Sequence, residues 1–77
     1  MQREPVESSN IASIGFEKGP PAVLEIEFKG GGVYQYTSQN DAIVEKHYND
    51  LKLAESKGKH FTAHIRRDPA LVTKKVS

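Results

Sequence analysis

The segment Leu24-Glu25-Ile26-Glu27-Phe28 constrains this chain more than any other feature. Apolar and charged side chains alternate without a break. Successive side chains of a strand point to opposite faces, so the pattern predicts a strand over 22–29 with one buried face and one wet face. Gly30-Gly31-Gly32 follows directly. Glycine accepts positive φ at little cost, so the triplet reads as a hairpin turn into a third strand, Val33-Tyr34-Gln35-Tyr36-Thr37. On the other side, Lys18-Gly19-Pro20-Pro21 breaks the chain. Before it, residues 9–17 set Asn10, Ala12, Ile14 and Phe16 on one alternate face and Ile11 on the other. Gly15 within that strand marks a bulge or a close backbone approach.

The periodicity then changes. Ser38 or Asn40 can cap a helix, and Asp41 suits its positive end. Ile43, Val44, His47, Tyr48, Leu51 and Ala54 recur at three- and four-residue steps, one apolar stripe of a helix over 39–56. Gly58 reads as its stop. A short second helix is expected over 59–67, with Phe61 and Ile65 turned to the core and Pro69 ending it. Residues 1–7 read as an irregular, flexible lead-in and 68–77 as a flexible tail. The expected architecture is α+β: a three-stranded antiparallel meander packed on one long and one short C-terminal helix. The expected core is Ile14, Phe16, Leu24, Ile26, Phe28, Ile43, Val44, Tyr48, Leu51, Phe61 and Ile65, with Glu25 and Glu27 in water.

At 77 residues the chain has room for one small domain and a thin core. It holds no cysteine, which removes disulfide frameworks, cysteine-ligated zinc and thiol chemistry. No apolar run approaches membrane-spanning length, and the first residues do not resemble a secretory signal. A cytoplasmic, soluble protein is the expectation. Charge is unevenly placed. Residues 1–56 carry five Lys/Arg against nine Asp/Glu, and residues 57–77 carry six against one, a net −4 followed by a net +5. A basic end on an acidic body is a candidate surface for phosphates or acidic partners.

Several groups of residues together resemble one family: Ser8-Ser9-x-Ile11, Ile14-Gly15-Phe16-Glu17, Leu24-x-Ile26-x-Phe28, Gly32-x-Tyr34-x-Tyr36, Ala54-x-Ser56-x-Gly58-x-x-Phe61 and Ile65-Arg66. This order is similar to the KTSC domain over residues 8–67. That small domain is named after the carboxyl end of some lysyl-tRNA synthetases and also occurs as a stand-alone bacterial or phage protein. The chain departs from the family pattern at Thr37-Ser38, where a Val-Pro-like turn is usual, and at Asp68-Pro69, where a tyrosine often follows. The resemblance implies a role in RNA binding, drawn from the synthetase context.

The residues offer a matching chemistry. Tyr34 and Tyr36 share a strand face, so they form either a stacking platform for unpaired bases or part of the core. Lys57, Lys59, Arg66 and Arg67, with His60 among them, form a run free of acids that suits phosphates. His60 and His64 stand four apart, but the residue after His60 is Phe61, so the His-Glu-x-x-His metalloprotease motif is missing. No metal site, cofactor or catalytic group is expected. Two readings follow: a non-catalytic module for RNA or single-stranded nucleic acid, or a protein-interaction module docking by a sheet edge.

Overall fold

The computed structural model describes residues 2–77. The chain runs β1 (Glu4–Pro5), β2 (Ile11–Glu17), β3 (Ala22–Phe28), β4 (Val33–Ser38), α1 (Asp41–Leu53), α2 (Lys57–His60), a π-helical turn (Phe61–Ile65) and β5 (Val72–Lys75). The α+β class is as expected, but the antiparallel sheet has five strands in the order β1-β2-β3-β4-β5, not three. The two additional strands come from the segments read as lead-in and tail. Each adds to an edge that the three-stranded meander would have left unpaired.

β1 can reach β2 because Gly15 has no side chain. A Cβ there would stand 2.6 Å from the Gln2 carbonyl oxygen. Gly15 is thus a close approach, and the bulge lies instead between Ile11 and Ser13, where the β2–β3 register shifts. That shift corrects the placement of Ile11. Strict alternation puts it on the face away from Ile14, whereas the extra residue turns both inward, and both are fully buried.

The wet face of β3 also differs from expectation. Glu25 is only 8% exposed. Arg3 lies across it, with Nη1 donating to its carboxylate at 2.6 Å, and Gln35 Nε2 donates to the other oxygen at 2.9 Å. Ser13 Oγ accepts from Arg3 Nε and donates to Glu27, extending this to a five-residue polar net. Glu25 therefore stays below the ordinary carboxylate range, chiefly through the Gln35 bond and then through Arg3. This burial has its source in β1, which alternation within β3 does not reveal.

On the other face the helices cover the sheet. Ile14, Leu24, Ile26, Val44, Leu51 and Ile65 are buried as expected, joined by Ile11, Ala22 and Tyr36. Val33 is buried too, but on the Glu27 face of the sheet. Phe16, Phe28 and Tyr48 pack against this cluster while partly exposed, and Ile43 is half-buried. Phe16 and Tyr48 stack at 5.4 Å. α1 is shorter than the expected 39–56. Asn40 is its cap, its side chain accepting from the Ala42 N–H at 3.0 Å. Ala54 turns to extended backbone and ends it. Gly58 lies within α2 rather than stopping α1; it allows a close approach there, since a Cβ would meet Asn10 Nδ2 at 2.6 Å. The second helical segment starts at Lys57 and, from Phe61 to Ile65, winds as a π-helix.

Candidate functional site

Alternation on β4 puts Tyr34 and Tyr36 on the covered face of the sheet, opposite Ile26 and Leu24 respectively. The π-helical turn then lowers Phe61 among them. Phe61 meets Tyr36 edge-on at 5.4 Å and Phe28 at 5.2 Å, and Phe28 meets Tyr34 at 5.7 Å. These are the edge-to-face geometries that aromatic quadrupoles favour. The four rings line the floor and walls of an open cleft of about 430 Å³, completed by Arg66 and Thr73.

The two tyrosines differ in depth. Tyr36 is 4% exposed, so it belongs to the core, while Tyr34 is half-buried and packs on the core's rim. Burial pushes the Tyr36 phenol up to about 12, helped by Tyr34 and opposed by Arg66. The hydroxyl therefore keeps its proton at neutral pH. Lys75 is the cross-strand partner of Tyr34. Both side chains lie over Gly32: a Cβ there would stand 3.1 Å from the Tyr34 ring and 3.9 Å from Lys75 Cε. The cleft thus has a cation near each end, Arg66 beside Tyr36 and Lys75 beside Tyr34.

Of the residues singled out in the sequence, the structure brings Tyr34, Tyr36 and Arg66 to this cleft. Lys57, Lys59, His60 and Arg67 do not line it. Lys57 Nζ donates to the Ala54 carbonyl at 3.0 Å and ties α2 to the end of α1. Lys59 and Arg67 are exposed. His60 lies 4.7 Å from His64, ring to ring, with Nε2 buried and unpartnered among the described residues. Burial, and then His64, hold the His60 imidazole below its ordinary range. Among the described residues no three His, Asp or Glu side chains gather as metal ligands. His47, read as part of the apolar stripe, instead bonds to Asp68 at 2.7 Å.

Sequence reasoning missed Thr73 and Lys75 altogether and placed Phe28 and Phe61 only in the core. The alternation Val72-Thr73-Lys74-Lys75-Val76, rich in β-branched residues, was the available signal for β5. A second cleft, of about 670 Å³, lies near β1 and is lined by Gln2, Arg3, Glu4, Phe16, Glu17 and Tyr48. Arg3 there is already committed to Glu25. Glu4 and Glu17 make that cleft unsuited to an anion, so of these two clefts the Tyr34–Arg66 one is the better fitted to aromatic and anionic groups together.

A five-stranded meander with helices on one face and an aromatic, cation-flanked cleft between β4, β5 and the π-turn defines a small α+β domain. The family model of the KTSC domain matches residues 7–68, and the chain belongs to that family. An uncharacterized protein of Stutzerimonas stutzeri (strain A1501) is 33% identical over 61 residues, 79% of each chain. No helix of the described residues is long and apolar enough to cross a membrane.

Proposed function

We propose that this chain is a non-catalytic, cytoplasmic module that binds RNA or another single-stranded nucleic acid in the Tyr34–Arg66 cleft. The observation that supports the reading is the half-buried Tyr34 ring, set on an open aromatic cleft between two cations. Single strands are held by stacking on such rings and by charge on the backbone. Tyr34 offers a base its ring, and Arg66 and Lys75 meet the flanking phosphates. Phe28 packs edge-on against Tyr34, and Phe61 in turn packs against Phe28 and Tyr36. Thr73 supplies a polar contact that needs no particular base.

Anisotropy of a labelled mixed-sequence RNA oligonucleotide tests this, measured between about 50 and 200 mM salt. Tyr34→Leu should weaken binding by about 1–3 kcal/mol. Arg66→Gln and Lys75→Gln should each flatten the logarithmic salt slope by roughly 0.7. The triple change Lys57→Gln, Lys59→Gln and Arg67→Gln should matter less, since none of the three lines the cleft. Absence of binding at low salt, or full binding by a folded Tyr34→Leu, Arg66→Gln chain, refutes the reading.

A further inference from the structure

β5 is the last strand of the sheet, and among the described residues its outer edge pairs with no other strand. The other edge, β1, is two residues long and contains Pro5, so it offers little to an incoming strand. On β5 the hydrogen-bonding phase is fixed by its neighbours. Phe28 N–H donates to the Gly32 carbonyl, and Val76 N–H donates to that of Val33. In an antiparallel ladder the bonded side alternates residue by residue. Val72, Lys74 and Val76 therefore turn their backbone groups inward to β4, and Thr73 and Lys75 turn theirs outward.

The side chains have a matching order. Val72, Lys74 and Val76 lie on the sheet face away from the helices, in a row at every second residue. Val72 is 67% and Val76 42% exposed, two of the three large hydrophobic residues left in water among the described residues. The row apolar–cation–apolar thus sits along an open edge. The same row disfavours a second copy in the register that matches its apolar positions. The antiparallel register that places Val72 of one copy on Val76 of the other sets Lys74 directly against Lys74, and like charges directly opposite are destabilising. Lysine on an edge strand is a known guard against self-pairing. A strand that keeps the apolar positions and replaces the cation by an acid meets no such penalty.

We infer that the outer edge of β5 is a strand-addition site for an extended acidic peptide of another protein, with the pattern apolar-x-acid-x-apolar. Its backbone bonds to Thr73 and Lys75. Its apolar residues cover Val72 and Val76, and its acid faces Lys74. The row reads the same in both directions, so the pattern is required whichever way the peptide runs. This site rests on the far face and edge of β5 and is independent of the nucleic-acid reading of the cleft.

The test uses the whole chain, labelled with ¹⁵N, and two capped peptides, Val-Thr-Glu-Thr-Val-Thr and Val-Thr-Lys-Thr-Val-Thr. The Glu peptide should slow amide exchange at Thr73 and Lys75 and bind roughly three- to tenfold more tightly than the Lys peptide. Lys74→Glu, an exposed substitution whose folding the same spectrum checks, should reverse that ranking. Equal binding of the two peptides, an unchanged ranking in Lys74→Glu, protection at sites other than Thr73 and Lys75, or no binding at about 1 mM peptide overturns the inference.

Discussion

His47 Nε2, at the end of the second turn of α1, donates to the Asp68 carboxylate at 2.7 Å. Asp68 is also the hub of the turn leading to β5. Its other carboxylate oxygen accepts from the Ala70 N–H at 2.8 Å, its backbone N–H donates to Ile65, and its carbonyl accepts from Leu71. One side chain thus joins the long helix to the turn that delivers the last strand.

Asp68→Asn should cost about 1 kcal/mol, a charge-assisted bond discounted for partial exposure. Amide exchange along β5 should rise more than exchange along β3. The His47 bond, and then the Ala70 N–H, hold the Asp68 carboxyl below its ordinary value of 3.8. A depressed carboxyl stabilises the fold above its unfolded pKa, and that stability is lost as pH falls through the folded pKa. Thermal melts below pH 4 should show this acid loss in the native chain and less of it in Asp68→Asn.

Arg3→Ala should destabilise the fold by about 1–2 kcal/mol at pH 7, since Glu25 then keeps a buried charge with Gln35 as its main partner. Arg3→Ala and Gly15→Ala should each release β1, visible as faster exchange at the β2 edge. Glu25 is held below 4.5, so its contribution is present above that value and disappears as pH falls below it. Urea unfolding at pH 7 and pH 3.5 should show a smaller difference for Glu25→Gln than for the native chain.

The two tyrosines should separate on substitution. Tyr36→Leu removes a buried ring that touches Phe61 and should cost about 1–3 kcal/mol. Tyr34→Leu, on the rim, should cost under about 1.5 kcal/mol. The Tyr36 phenol is raised from 10.0 to about 12. A raised folded pKa gives stability that is whole below the unfolded value and is lost as pH rises between the two. Alkaline unfolding between pH 10 and about 12 should therefore be blunted in Tyr36→Phe. A Tyr36→Phe chain with an unchanged alkaline limb would place the burial of that hydroxyl in error.

Local pattern determined a good deal by itself. Leu24, Ile26 and Ile14 could only face a core, because a period of two leaves them one side. The glycine triplet had to turn, and Asn40 had the side chain to cap α1. Phe61 and Ile65 were legible as buried, and Tyr34 and Tyr36 as neighbours on one face. Other relationships depend on residues far apart in the chain. Glu25 is wet or buried according to whether Arg3 crosses it, and Arg3 crosses it because Gly15 admits a backbone there. Ile11 faces the core only through a bulge that alternation does not encode. Tyr36 sinks and Tyr34 stays on the rim because a π-helical turn brings Phe61 down on one of them. Arg66, out of four basic residues in a row of equal promise, reaches the cleft by the phase of that same turn. β5 became a strand because β4 had an open edge to pair with. A strand's backbone bonds are satisfied only by a partner, so its existence is a property of the sheet and not of the segment.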